Sequence, residues 1–287
     1  MRHPGIGLMR ALARLPLPWL RALGSGLGRL LFVLARRRRQ VVLTNLRLAF
    51  PEWDEARRTD VARRSVIAFA QSFIDRAWVW HAPDAVVRAR IHLTGAVDEL
   101  RRPEAAVLFA PHFYGMDAGG AAIMQQAVRR GGSIYSPQAG AATDAWIRAG
   151  RERFGDVVLI NRRDGVKPVV KSLREGRYLY LLPDMDLGPE ESIFVPFFGV
   201  PAATVPALPR LARLGRARVV PTVTRMTPGG YEVQVHPAWP DYPGDDVAAD
   251  TTLMNRRLEE WIRAMPEQYY WVHKRFKTRP PGEPPVY

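Results

Sequence analysis

A histidine and an aspartate stand at a spacing that could support acid–base chemistry. His112 follows the apolar run Ala106–Ala110, an expected strand, and Asp117 lies five residues further on. A carboxylate bound to one imidazole nitrogen fixes the tautomer and leaves the other nitrogen free to accept a proton. On one regular helix the two side chains would point about 140° apart, so contact requires His112 in the strand–helix loop and Asp117 in the first helical turn. The spacing alone fits equally a histidine bonded to a loop carbonyl.

A second group of acids follows the apolar segment Tyr178–Leu182. Asp184 and Asp186 lie in the run Pro-Asp-Met-Asp-Leu-Gly that ends at Gly188. Two carboxylates beside a glycine could bind a cation or orient a basic group. The same pattern also forms ordinary acidic turns.

Basic side chains are concentrated in two further segments. Arg148, Arg151 and Arg153 lie near the end of an expected helix, where a guanidinium fork could hold a phosphate or a developing oxyanion. Such a row is also common on a solvated helix face. The segment 266–279 interleaves basic and aromatic residues, which suits a lipid headgroup at a membrane interface as well as a nucleic acid. Its basic residues are Lys274, Arg275, Lys277 and Arg279.

The composition excludes several classes of chemistry. The chain has 287 residues and no cysteine, which rules out disulfides, thiolate zinc sites, iron–sulfur clusters and a cysteine nucleophile. No phosphate-binding glycine loop, dinucleotide fingerprint, metal-ligand cluster or serine-nucleophile motif is present, so neither a cofactor nor a metal is expected. A histidine base without its own nucleophile favours direct removal of a proton from a substrate hydroxyl. The formal net charge of +14 indicates a polyanionic partner.

Apolar runs alternate with helical patterns through most of the chain, which predicts a mixed, mostly parallel sheet flanked by helices. The expected strands are Ala106–Ala110, Ser133–Tyr135, Val157–Ile160, Tyr178–Leu182, Val219–Thr224 and a late added strand at Tyr231–His236. The expected helices are Asp54–Trp80, Ala118–Arg129, Thr143–Phe154, Val166–Glu175, Pro206–Leu214 and Thr251–Ala264.

The N-terminal segment has a different pattern. Leu15–Ala35 is mostly apolar with leucines at helical spacing, but Arg21 and Arg29 interrupt it, and four arginines follow at positions 36–39. A cleaved signal peptide fits poorly because the charges lie inside and after the apolar stretch. A spanning helix, an amphipathic helix in the membrane interface and an ordinary core helix remain open, and the internal charges favour the interfacial helix. We therefore expect a membrane-anchoring helix in residues 1–40 and one enzymatic domain in residues 41–287.

Taken in order, these segments resemble the late lipid A acyltransferases, the lauroyl and myristoyl transferases of Gram-negative envelope synthesis. The resemblance covers residues 41–287. It is carried by Asn45-Leu-Arg-Leu-Ala-Phe-Pro51, the His112-x4-Asp117 box, Gly150-Arg-Glu-Arg153, Pro183-Asp-Met-Asp-x-Gly188, the run from Phe194 to Thr204, and Pro266-Glu-Gln-Tyr-Tyr-Trp through Pro280.

The resemblance implies a glycerolipid-acyltransferase-like fold and an enzyme bound to the cytoplasmic side of the cell inner membrane. Such an enzyme moves a fatty acyl chain from acyl carrier protein to a hydroxyl of a lipid A precursor. His112 would be the base and Asp117 its orienting acid. Arg151 would stabilise the oxyanion or thioester, and Asp184 would organise that arginine or the substrate. The expected substrate-binding residues are Arg148, Asp186, Lys274, Arg275, Lys277 and Arg279.

The sequence departs from the family pattern at three positions. Ser136 stands where many members carry arginine, Gly140 where asparagine is common, and Asp117 where many have glutamate. The first two raise the alternative of another glycolipid or a lysophospholipid as acceptor, with acyl carrier protein or acyl-CoA as donor. A non-catalytic membrane lipid-binding protein is a further alternative. Nucleic-acid binding would rest on charge alone, and no nucleic-acid partner is expected.

Overall fold

The computed structural model describes residues 4–127 and 130–287. Its helices are α1 (Pro4–Leu12), α2 (Leu17–Leu34), α3 (Arg36–Ala49), α4 (Glu55–His81), α5 (Asp84–Arg90), α6 (Met116–Gln126), α7 (Ala141–Arg151), α8 (Val166–Arg174), α9 (Ala207–Gly215) and α10 (Val247–Ala264). Its strands are β1 (Ile91–Gly95), β2 (Ala106–Phe109), β3 (Arg130–Tyr135), β4 (Asp156–Asn161), β5 (Tyr178–Leu181), β6 (Ile193–Phe197), β7 (Val200–Thr204), β8 (Arg218–Thr227) and β9 (Gly230–Val235).

Seven strands form one sheet in the order β1-β9-β8-β2-β5-β3-β4. All neighbours are parallel except β8 and β9, which form an antiparallel pair. This confirms the mixed, mostly parallel sheet predicted from the alternating pattern, with β9 as the late added strand. The helix predicted at Ala118–Arg129 is present as α6, although positions 128 and 129 lie outside the described residues.

The sheet separates two hydrophobic clusters. Val107 and Phe109 of β2 belong to the cluster shared with α3, α8, α9 and α10, which we call the α8/α9 side. Ala106 and Leu108 belong to the cluster shared with α6 and α7, which we call the α6/α7 side. Successive side chains of a strand point to opposite faces, so these two sides are the two faces of the sheet. The long helix α4 contributes to both clusters.

Helix α2 packs along α4, and two glycines allow this close approach. A Cβ added to Gly28 would lie 2.5 Å from the Cα of Ile67, and one added to Gly24 would lie 2.7 Å from the Cα of Gln71. Arg21 of α2 also forms an ion pair with the buried Asp75 of α4, with 2.9 Å between Nη2 and Oδ2.

The opposite face of this N-terminal region is exposed and apolar. Among the described residues, α2 is the one helix that is long and apolar enough to cross a bilayer, with a mean hydropathy of 1.2. Trp19 is 69% exposed. We call this surface the N-terminal apolar face, and its exposed residues are Leu8, Leu15, Trp19, Leu23, Leu30, Val33, Leu34 and, from α4, Phe73.

Several elements were not predicted. Helix α3 includes the arginines 36–39 and buries Val42 and Leu46, while the Asn45 amide donates to the carbonyl oxygens of Trp271 and His273 at 2.7 and 2.8 Å. The hairpin of β6 and β7 was missed because Pro196 and Pro201 interrupt the strand signal. The two prolines face each other in its register, and a two-stranded hairpin has free edges that tolerate them.

Candidate active site

His112 and Asp184 meet because their strands are parallel neighbours. Phe109 of β2 is paired with Leu181 of β5, and each of the two side chains lies three residues beyond its paired residue. The Nδ1 atom of His112 is 2.8 Å from Oδ1 of Asp184. The His112 backbone N–H also donates to this carboxylate, at 3.1 Å from Oδ2. Parallel strands present their carboxyl ends at one edge, and the site is at that edge.

Asp184 is fully buried and its carboxylate is well supplied with donors. The hydroxyl of Tyr269 donates to Oδ2 at 3.0 Å. Burial alone would raise the pKa of Asp184, but the charge of a protonated His112 and the hydrogen bonds from its ring and backbone hold the pKa below its usual value. Asp184 is therefore suited to stay ionised and to bind the N–H at Nδ1, which leaves Nε2 to act on a substrate.

The expected contact between Asp117 and the His112 ring is wrong. Asp117 enters the first turn of α6, as predicted, but its carboxylate binds two arginines. Arg76 Nε lies 2.8 Å from Oδ2, and Arg151 Nε lies 3.0 Å from Oδ1. Of the two roles expected for Asp184, organising Arg151 or the substrate, the structure does not show the first, since Asp184 holds His112. The acid that orients His112 is thus Asp184, and the acid that binds Arg151 is Asp117.

Asp117, Arg76 and Arg151 form a charged cluster, which we call the Asp117 cluster. It has two positive charges and one negative charge. Burial would raise the pKa of Asp117, but the charges of Arg151 and Arg76 and their hydrogen bonds outweigh it and hold the pKa at about 2. Each arginine uses its Nε on Asp117, so the outer guanidinium nitrogens of Arg151 can still donate. Arg76 of α4 was missed because it lies within a helix whose apolar stripe dominated the pattern. Tyr269 was missed because its partner is remote in sequence.

His112, Asp117 and Arg151 line one cavity of about 620 Å³, within the range of roughly 300–1,000 Å³ that small-molecule sites occupy. Most of its walls are apolar. Ser136, where the family pattern often has arginine, also lines it. Gly140 does not. It precedes α7 as its N-cap residue, with φ of +91°, and has open space around it.

Asp186 and Arg275 do not have the substrate-binding geometry that was expected. Asp186 is fully buried and accepts hydrogen bonds from the backbone N–H and hydroxyl of Thr278, at 2.8 and 2.9 Å. Arg275 is 1% exposed and donates to the Ala203 carbonyl and the Thr204 hydroxyl, at 2.8 and 2.7 Å. Both side chains fasten the C-terminal segment against the loop after β5 and the end of β7. They stabilise the backbone around the site and are not part of the cavity lining.

The other expected substrate-binding residues lie outside the cavity lining. Arg148 is within 3.4 Å of Glu152 and stacks over Tyr135, while Arg279 donates to the Pro201 carbonyl. Lys274 and Lys277 are exposed, and Lys274 lies over the Tyr287 ring. Their contact with substrate stays a prediction. Within residues 4–127 and 130–287, no group of three or more potential ligand side chains could hold a metal ion.

The chain is similar to known proteins over nearly its whole length. The family model for bacterial lipid A biosynthesis acyltransferases matches residues 2–278. The chain is 32% identical to the lipid A biosynthesis lauroyltransferase of Escherichia coli, over 99% of this chain and 93% of that protein. It is 33% identical to the myristoyltransferase of the same organism, over 98% and 90% of the two chains, and 30% identical to the palmitoleoyltransferase, over 99% and 93%. The chain therefore belongs to the bacterial lipid A biosynthesis acyltransferase family.

Proposed function

We propose that this enzyme transfers a fatty acyl chain from acyl carrier protein to a hydroxyl group of a lipid A precursor, with His112 as general base and no covalent acyl-enzyme. The observation that carries the proposal is the bond between His112 Nδ1 and Asp184 beside an apolar cavity. It gives the enzyme an oriented imidazole whose other nitrogen is available to a substrate. The names of the relatives supply the acceptor class and the acyl group.

The reaction needs one base that later serves as an acid. Nε2 of His112 takes the proton of the acceptor hydroxyl while the hydroxyl oxygen attacks the thioester carbonyl carbon. Asp184 stabilises the imidazolium that forms. When the tetrahedral intermediate collapses, the carbon–sulfur bond breaks and the thiolate takes the proton back from Nε2. A positioned base of this kind contributes about 10²–10⁴ in rate.

Arg151 is the group placed to stabilise the negative charge that develops on the thioester oxygen. Its Nε is fixed by Asp117 at 3.0 Å, so its outer nitrogens are presented in a set direction without further reorganisation. Preorganised donors of this kind typically contribute about 10²–10³ in kcat. Arg76 shares the same carboxylate and fixes Asp117 from the other side. Asp117 therefore positions Arg151 and not His112.

We propose that the N-terminal apolar face binds the cytoplasmic surface of the inner membrane and that α2 lies in the plane of the interface. If α2 spanned the bilayer, it would have to separate from α4. The close contacts at Gly24 and Gly28 would then be lost, and Asp75 would lose its ion pair with Arg21. Breaking one partner from a buried ion pair costs about 3–5 kcal/mol. The exposed arginines 36–38 follow directly and suit anionic headgroups.

The reaction is tested with purified protein in detergent and a labelled acyl-carrier-protein donor. The acceptors are a tetra-acylated lipid A precursor, a lysophospholipid and none. His112→Ala is compared with His92→Ala, a matched change at an exposed histidine of β1. We expect transfer to the precursor by wild type and His92→Ala, and its loss in His112→Ala. Transfer only to the lysophospholipid would replace the acceptor, and unchanged turnover in His112→Ala would refute the proposed base.

The membrane arrangement is tested with introduced cysteines, because the natural chain has none. Gly7 of α1 has open space around its Cα, so Gly7→Cys should be tolerated, and Gln40→Cys serves as the control beyond α2. In intact cells with a permeabilised outer membrane, a membrane-impermeant maleimide should label neither position, and after lysis it should label both. Labelling of Gly7→Cys alone in intact cells would show that α2 spans the membrane.

A further inference from the structure

The active-site cavity extends onto both faces of the sheet. Its lining includes Leu108 and Tyr178, which belong to the hydrophobic cluster on the α6/α7 side. The lining also includes Val169 and Leu211, which belong to the cluster on the α8/α9 side. These clusters are separated by the sheet, so the cavity passes around the carboxyl edge of the strands. His112 lies at that edge, between the two parts.

The part on the α6/α7 side is closed in, and we call it the enclosed arm. Leu108, Ile123 and Tyr178 in its walls are buried. Met124 also lines this part, and its sulfur lies 2.7 Å from the place where a Cβ on Gly131 would be. Gly120 of α6 faces this arm with room for a side chain, since its nearest neighbour would be the Tyr180 ring at 3.8 Å.

The part on the α8/α9 side is open to solvent, and we call it the open arm. Three apolar side chains of the cavity lining, two of them on this side and Leu187 in the loop after β5, are partly exposed: Val166 is 47%, Leu187 39% and Leu214 44% exposed. Exposed apolar side chains collected in a groove mark a surface that is covered by a ligand or a partner. This groove is continuous with the catalytic cavity, which favours part of a substrate as its occupant.

We propose that the two arms hold two alkyl chains at the same time, the donor's acyl chain in the enclosed arm and a chain of the acceptor lipid in the open arm. This inference rests on the proposed function. Arg151 and Asp117 line the cavity with the α6/α7 residues, so a thioester whose oxygen faces Arg151 directs its chain into the enclosed arm. That chain has one free end and fits a closed space.

The acceptor is the larger lipid, and the open arm suits it. A lipid with several chains can place one of them in a groove while the rest remain in the bilayer. The two chains then approach His112 from opposite faces of the sheet. This brings the acceptor hydroxyl and the thioester carbon together at the edge and fixes their relative orientation, which is worth several orders of magnitude in effective concentration.

The first test separates the arms by kinetics. Gly120→Leu fills the enclosed arm, and Val166→Glu and Leu214→Glu place a charge in the open arm at exposed positions that tolerate it. Phe194→Glu, at an exposed phenylalanine of β6 outside the cavity lining, is the matched control. We expect Gly120→Leu to shift the donor preference toward shorter acyl chains at unchanged acceptor KM.

The open-arm variants should do the reverse. We expect the KM for the full acceptor to rise about tenfold, the effect of losing the contacts of roughly two methylene groups. The KM for an acceptor analogue with truncated chains and the donor preference should stay as in wild type. A changed donor preference in these variants, or no change in acceptor KM, would overturn the assignment of the arms.

The second test does not depend on turnover, so it also decides the inference if wild type transfers nothing and the proposed function fails. Native mass spectrometry with lauric acid counts the chains that bind to one protein molecule. We expect two for wild type and Phe194→Glu, and one for Gly120→Leu and for Leu214→Glu. The double variant should bind none at the same concentration. A single bound chain in wild type would refute simultaneous occupancy.

Discussion

The hydroxyl of Tyr269 donates to Oδ2 of Asp184 at 3.0 Å, and His112 Nδ1 uses the other oxygen of the same carboxylate. Tyr269→Phe removes this donor and keeps the ring. We expect kcat to fall about three- to tenfold, as the loss of one hydrogen bond of about 1 kcal/mol implies, with KM little changed. Steady-state kinetics at saturating acceptor checks this, and a kcat equal to that of wild type would show that Tyr269 does not help to position Asp184.

Asp184→Asn tests which acid orients His112. The amide cannot stabilise an imidazolium, so we expect kcat to fall by about 10²–10⁴, the usual contribution of acid–base catalysis. Asp117→Asn should also lower kcat, because Arg151 loses the carboxylate that fixes its Nε. The structure-based assignment fails if Asp184→Asn keeps full activity while Asp117→Asn alone abolishes it.

Stability toward acid should depend on Asp117. Its pKa is about 2 in the folded protein against an unfolded value of about 3.9, so the folded state favours the ionised form. The stabilisation is complete above pH of about 4 and is lost as the pH falls toward 2, by about 2–3 kcal/mol in total. Urea unfolding across this pH range should show a shallower decline for Asp117→Asn than for wild type. An equal slope for both proteins would contradict the ion-pair account.

The packing of α2 against α4 predicts opposite effects at two glycines of one helix. Gly28→Ala places a methyl group against the Cα of Ile67 and should destabilise the protein by about 1–3 kcal/mol. Gly26→Ala points into open space and should stabilise α2 by about 0.5–1 kcal/mol through helix propensity. Thermal unfolding of the two variants compares them directly. Equal shifts of Tm would mean that α2 is not held against α4 in solution.

Much of the sheet could be predicted because its strands are short apolar runs bounded by turns. The segment Ala106–Ala110 and the observed β2, Ala106–Phe109, differ by one residue. The elements that were missed depend on distant partners. Helix α3 is stabilised through Asn45, which binds backbone carbonyls more than 200 residues away, and no local pattern reveals that contact.

The sequence singled out His112, Asp117, Arg151 and Asp184, but it did not predict the pairing between them and missed Arg76 and Tyr269. Local spacing suggested Asp117 as the partner of His112 because it is near in the chain. The sheet order decided otherwise: β5, which is far from β2 in sequence, is its neighbour in space and brings Asp184 to the ring. Asp117 is bound instead by Arg76 of α4 and Arg151 of α7. The order of strands in a sheet is a tertiary property. Contacts between charged side chains at the ends of neighbouring strands therefore cannot be predicted from their spacing in the sequence.

Asp75 and Arg76 are consecutive residues of α4, and their side chains bind different parts of the protein. Asp75 holds Arg21 of the N-terminal helix, whereas Arg76 holds Asp117 beside the cavity. One residue of an α-helix corresponds to a rise of about 1.5 Å, so the contact with α2 and the contact with the Asp117 cluster are nearly level along α4. Because α2 packs along α4 and is proposed to lie in the plane of the membrane interface, this would fix the lateral position of the catalytic cluster relative to the proposed anchor.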